Sequence, residues 1–228
     1  MGFVHFIQLN SEQMLGTTSK QRAWLEQQFK AIDRSVTPWV IVGMHRPLLV
    51  DSNDKSDQAV ATLLRKSLEP LFAKYEVDVV LAGHIHAAQR SCIGVLKGTC
   101  VGVNAQGTAL GPTHVLTGQG GYQSPLNAFK TPPSWEAWAS WGFGFNEMLV
   151  TRTTLRINAL GIDGTQLDTF TLSKPQGWTP NLVAAAARYA ATASWVVPQT
   201  VDIVALTASL VANFVTQSIG DDQWPRPT

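Results

Sequence analysis

The rhythm of hydrophobic and polar positions along this chain changes three times. Near the amino terminus, "FVHFIQLN" (3–10) is an apolar run rich in β-branched and aromatic residues, which predicts a buried strand. "SKQRAWLEQQFKAIDRS" (19–35) then places Trp24, Leu25, Phe29 and Ile32 at the spacing of one helical face, with Ser19 as its cap. "TPWVIVGMH" (37–45) is a short continuous apolar run, the pattern of a strand covered on both faces. A second helical pattern spans about 57–75, with Leu63, Leu64, Leu68, Leu71 and Phe72 on its apolar side and Pro70 expected to kink or divide it. "VDVVLAG" (77–83) is a third buried strand. Strand, helix, strand, helix, strand predicts an α/β layered fold with parallel strands.

Beyond residue 90 the pattern becomes short β-like runs between glycine-rich turns, as in "VGVNAQG" and "HVLTGQGGY". "FGFNEMLVTRTTLRINALGIDGTQLDTFTLS" alternates with period two around a "GIDG" turn and predicts a terminal antiparallel hairpin or meander. From Pro180 the chain shifts again. "NLVAAAARYAATASWVV" is alanine-rich and helix-prone, and "VDIVALTASLVANFV" is apolar with helical spacing. Pro198 and Asp202 interrupt this stretch, and neither half reaches the roughly 20 apolar residues of a spanning helix. We expect no transmembrane segment but a tail that packs on the domain, an amphipathic surface helix being the alternative. The expected division is a domain over 1–174 and an apolar helical tail over 175–228.

Of the 228 residues, 45% are hydrophobic and 14% charged, enough for a sizeable core and too apolar for a disordered chain. The formal charge is +1 with no basic block, which argues against a nucleic-acid partner. A small anionic substrate stays compatible, because a metal ion can supply local positive charge. "MGFVHFIQLNSE" lacks a basic segment followed by an apolar one, so no signal peptide is expected; it reads as a strand already under way. The two cysteines lie in "SCIGVLKGTC", where a turn-like "GVLKG" would let two short strands fold back. Spacing alone leaves Cys92 and Cys100 open between a disulfide and two free, small apolar side chains.

The candidate chemistry sits where two strands end. "WVIVGMH" and "VDVVLAGHIH" each close a buried strand with histidine, and functional loops in α/β sheets gather at such carboxyl ends. If these strands are neighbours, His45, His84 and His86 converge at one sheet edge. Gly83 is expected to permit a sharp turn there, and Gly43 a close packing beside the strand. Neutral imidazoles on rigid strand ends suit Zn(II), Fe or Mn. His84 and His86 lie on a turn, so each is free to face a different ion, a two-metal arrangement. His5 and His114 stand alone in strand-like segments and read as structural.

The blocks "VGMH" (42–45) and "GHIH" (83–86) resemble the V-x-x-H and G-H-x-H blocks of the metallophosphoesterases, most closely the large secreted purple acid phosphatases. "QRAWLEQQFKAIDRSVTPWVIVGMHRP", "LEPLFAKYEVDVVLAGHIHAAQRSC" and "GPTHVLTGQGGY" follow in the family's order, so that the resemblance covers about residues 2–173. It implies part of a four-layer α/β/β/α sandwich with mixed sheets, lacking its amino-terminal strands. It implies that His45 and His84 bind a divalent ion, Zn(II), Mn(II) or Fe(II), and that His86 binds Fe(III) in a dinuclear centre. It implies a Cys92–Cys100 disulfide and a secreted, vacuolar or lysosomal location.

The implied activity is acid hydrolysis of phosphate monoesters by a metal-bound hydroxide. The family's earlier blocks, G-D-x-G, G-D-x-x-Y and G-N-H-E/D, do not occur in this chain. No catalytic residue is therefore assigned. Ala88 and Gln89 stand where the family's H-x-Y-E-R carries an aromatic and an acidic residue. Arg46 and Asn53 are the candidates for touching phosphate. The chain is expected to be a poor phosphatase by itself, with an open sheet edge and an open core face that favour pairing with another copy or with a missing amino-terminal half. The alternative function is a non-catalytic metal-binding or interaction module.

Overall fold

A computed structural model describes residues 2–13, 15–122 and 127–196. Three parallel strands form first: β1 (Val4–Gln8), β2 (Trp39–Gly43) and β3 (Val79–Ala82). They are joined by α1 (Lys20–Ala31) and α2 (Lys55–Lys74). β4 (Ala88–Ser91) follows, then the small hairpin β5 (Val95–Leu96) and β6 (Thr99–Cys100), then β7 (Thr113–Thr117) and β8 (Glu136–Ser140). A meander of β9 (Gly144–Val150), β10 (Thr154–Gly161) and β11 (Gln166–Ser173) precedes α3 (Leu182–Ala191). The main sheet has six strands in the order β1-β2-β3-β7-β4-β8, parallel through β7 and antiparallel beyond it, and β11-β10-β9 form the second sheet.

Alternation within β2 explains the layering. Val40 and Val42 point toward the helices and join Leu25, Phe29, Leu68 and Phe72 in one core. Trp39 and Ile41 point the other way and meet Leu155, Ile157, Phe170 and Leu172 of the meander. The whole strand is buried because both of its faces are covered. The Trp39 indole also donates to the Thr151 carbonyl at 2.8 Å, tying the two sheets together. The expected open core face is thus covered by the meander. Three layers of the sandwich, α/β/β, are present among the described residues.

Two expectations about the helices change. Trp24 is 43% exposed, because the inward seam of α1 is Leu25, Phe29 and Ile32 and Trp24 lies about 100° away from it. Pro70 does not divide α2, which runs as one 20-residue helix. An interior proline costs about 3 kcal/mol, but burial of Leu68, Leu71 and Phe72 returns roughly 1.5–3 kcal/mol each. The cysteines form a disulfide that closes the β5–β6 hairpin, with Lys97 and Gly98 in left-handed backbone at its turn. α3 is capped by Asn181 and packs on α2, and the Trp195 ring then stands edge-on to Trp135. The apolar stretch 201–215 lies outside the described residues.

On β8, burial and the neighbouring Asp51 carboxylate raise the Glu136 carboxyl to about 7. Between its ordinary value of 4.5 and about 7, the folded chain therefore holds a proton that the unfolded chain has released. This group's stabilisation is complete below the unfolded value and is lost as pH rises through the folded one. Glu136→Gln should flatten the fall in urea midpoint between about pH 4.5 and 7; an unchanged slope would contradict this assignment.

Candidate metal centre

Parallel pairing of β2 with β3 continues past the last strand residues. Met44 N–H donates to the Leu81 carbonyl at 3.0 Å, and Gly83 N–H donates to the His45 carbonyl at 3.0 Å. This ladder sets His45 beside His84. The missing side chain at Gly43 leaves room for Gln8 and Phe6 of β1, as its position suggested. Gly83 behaves differently from expectation. A methyl group there would make only ordinary contact, and the left-handed backbone belongs to His84, at φ 69°. Left-handed backbone costs a non-glycine residue about 1–2 kcal/mol, a strain of the kind that accumulates at functional sites.

His84 Nδ1 lies 3.1 Å from His45 Nε2, with the two rings roughly perpendicular. On the other side of its ring, His84 Nε2 is 2.7 Å from an Arg46 guanidinium nitrogen and 3.3 Å from Asp57 Oδ1. Arg46 Nε also donates to Glu12 Oε1 at 3.0 Å, and that carboxylate lies 4.0 Å from His45 Nε2. Asp57 is oriented by Ser52, whose hydroxyl donates to its second oxygen at 2.8 Å. Burial, then the Arg46 charge, hold the His84 imidazole below its ordinary pKa, with the Asp57 carboxylate opposing them. A neutral His84 that accepts from Arg46 at Nε2 carries its proton on Nδ1 and donates it to His45.

The His86 ring packs on Tyr122, with 4.8 Å between centroids. Among the described residues, no group of three or more His, Cys, Asp or Glu is arranged to hold one ion. Arg46 lies at the pair. Asn53 faces the 127–129 loop, where its side-chain amide donates to the Ala128 carbonyl at 3.2 Å. At the position where the family carries an acidic residue, Gln89 is buried and clamps the Asp51 backbone, accepting from its N–H and donating to its carbonyl. Asp57 and Glu12 escaped the sequence reading because their acidic side chains belong to a helix's first turn and a polar loop. Nothing local announces which histidine they meet.

Comparison with known proteins now bears on this geometry. The calcineurin-like phosphoesterase family profile matches residues 3–88, which contain both histidine-bearing strands. The chain is 35% identical over 136 residues to "Probable inactive purple acid phosphatase 9" of Arabidopsis thaliana, covering 60% of this chain and 19% of the relative. It is 32% identical over 143 residues to "Fe(3+)-Zn(2+) purple acid phosphatase 12" of the same plant, covering 58% and 29%. Over these stretches the chain is similar to purple acid phosphatases. Its fold agrees with the structure of purple acid phosphatase PPD1 from yellow lupin (Lupinus luteus) seeds, with a TM-score of 0.70 and 22% identity, covering 88% of this chain and 35% of that one. The chain thus spans about a third or less of the length of these relatives.

Whether its residues fit a metal is decided by the His45–His84 contact. Zinc–imidazole bonds of about 2.0–2.1 Å at a tetrahedral angle place two ligand nitrogens about 3.3 Å apart. The observed 3.1 Å suits one ion held by both rings. Among the described residues no carboxylate joins the pair in a group that could hold a metal ion, and the His86 ring packs on Tyr122. In the metal-free chain, nitrogen NMR of the imidazoles should find neutral His84 protonated at Nδ1. The opposite tautomer would contradict the Arg46 contact.

Proposed function

We propose that this chain is the histidine-bearing part of a phosphate-monoester hydrolase site, in which His45 and His84 hold one divalent ion. The observation that carries this reading is the 3.1 Å approach of His45 Nε2 to His84 Nδ1 at the ends of two paired strands. A bound divalent ion would supply Lewis acidity toward a phosphoryl oxygen. The remaining work falls to side chains of this chain. With both rings holding an ion, His84 would carry its proton on Nε2 and donate it to Asp57, a carboxylate–histidine pairing that would fix ring orientation. Arg46 can then no longer donate to that nitrogen. Its guanidinium, still held by Glu12, becomes the donor for an anionic phosphoryl oxygen.

Further parts of this reading follow the resemblance. His86 would serve a second ion, ferric in the family, together with carboxylates that are not among the described residues. Asn53 would approach the ester from the loop after β2. Plant relatives named purple acid phosphatases support a secreted or vacuolar setting, and no described helix is long and apolar enough to cross a membrane. Residues 1–174 would form the phosphoesterase domain and 175–228 a tail laid against it; the contact of Trp195 with Trp135 supports this for the described part of the tail. Carboxylates from a second copy of the chain, or from an amino-terminal half, would complete the site.

One observation favours a second reading. Arg46 places a cationic group 2.7 Å from His84 Nε2, and one relative carries the name of a probable inactive enzyme. A non-catalytic metal-binding module would keep the histidine pair and leave Arg46 with Glu12, where it serves no phosphate. Calorimetry with zinc chloride should find one ion per chain, with affinity lowered at least 100-fold in His84→Ala; unchanged affinity would overturn the ligand assignment. The zinc-loaded chain should bind inorganic phosphate and lose about tenfold in affinity with Arg46→Ala. Phosphate binding that ignores both substitutions would favour the second reading. Rapid hydrolysis of p-nitrophenyl phosphate by the 228-residue chain alone would contradict the incomplete site.

A further inference from the structure

At the opposite ends of the same two strands lies a different concentration of charge. Asp78, just before β3, is buried and accepts from three donors: Arg34 at 2.9 Å, Lys174 at 2.6 Å and the Val40 N–H at 2.8 Å. Lys174 also donates to the Pro38 carbonyl at 2.6 Å. Its ammonium lies 3.9 Å from the centre of the Trp178 ring, and the Arg34 guanidinium lies 5.0 Å from that ring.

Beside this cluster is an open cavity of about 220 Å³. Arg34, Lys174, Arg152, Gln176 and Trp178 are among its lining residues, and among the described residues no carboxylate lines it. Asp78 and Glu76 face the neighbouring cavity on the other side of Trp178. Arg34 is 8% exposed, yet its Nε–H, buried, has no hydrogen-bond partner among the described residues. A buried guanidinium donor left unpaired is costly and rare, and it points to an acceptor supplied from outside the chain. Arg152 stands at the exposed mouth, where one guanidinium nitrogen donates to the Ser35 carbonyl at 2.6 Å.

We infer that this cavity is a binding site for a small aromatic carboxylate. The carboxylate would accept from Arg152 and, once the guanidinium turns to expose it, from Arg34 Nε, and the aromatic body would lie against Trp178. The two cations give the oxyanion charge-assisted hydrogen bonds, and the indole gives a flat apolar wall for the ring. Burial holds the Lys174 ammonium below the usual lysine range, and a second anion nearby would lift it back. The site is separate from the histidine pair, since Pro38 and Asp78 precede β2 and β3 whereas His45 and His84 follow them.

Calorimetry with benzoate on the full chain in EDTA tests the assignment without any metal. Benzoate should bind, and bind more tightly than inorganic phosphate. Arg152→Ala and Trp178→Ala should each weaken it about tenfold, whereas His84→Ala should leave it unchanged. Arg152 is exposed, so its variant is expected to fold even if a change at buried Arg34 does not. No benzoate heat at millimolar concentration would overturn the site. So would benzoate affinity that Arg152→Ala and Trp178→Ala leave unchanged, or that His84→Ala abolishes.

Discussion

The parallel pairing of β2 with β3 is the constraint on which the rest of this molecule depends. Ile41 faces Val79, Val42 faces Val80 and Gly43 faces Leu81, and the ladder continues into the residues that carry the histidines. A parallel pair needs a covered crossover, and α2 supplies it. Both faces of the pair are buried, one under the helices and one under the meander. The register is therefore fixed from two sides, because a slip of one residue would turn Val40 and Val42 away from the helices. His45 and His84 meet as a consequence of core packing.

Energetic scale supports this view. Left-handed backbone at His84 costs about 1–2 kcal/mol. Each fully buried valine or isoleucine of the pair contributes roughly 1.5–3 kcal/mol. The strands can hold a strained turn without outside help. At their other ends the same strands anchor Asp78, whose two cationic partners come from the loop after α1 and from the residue after β11. The pair thus orders chemistry at both ends, imidazoles at one and guanidinium and ammonium groups at the other.

Much of this organisation was legible in the sequence. The β-α-β-α-β order followed from periodicities that switch between two and 3.6, and the "GIDG" turn does join β10 to β11. The strand-end placement of His45 and His84 followed from the same patterns. What escaped depends on distant partners. "AQRS" has no strand-like composition, yet it becomes β4 because β7 and β8 pair with it on either side and Asp168 holds Arg90. Trp24 was assigned inward because hydropathy does not distinguish it from Leu25. Asp57 and Glu12 were invisible as histidine partners, since their meeting depends on how α2 and the first loop fold back over the strand ends.

X-ray absorption on the zinc-loaded chain measures the central claim most directly, because scattering from imidazole rings counts the histidines on the ion. With His45 and His84 on one ion, the wild-type spectrum should show two imidazoles at about 2.0–2.1 Å, and His84→Ala one. A zinc environment of oxygen atoms alone, unchanged by that substitution, would contradict it.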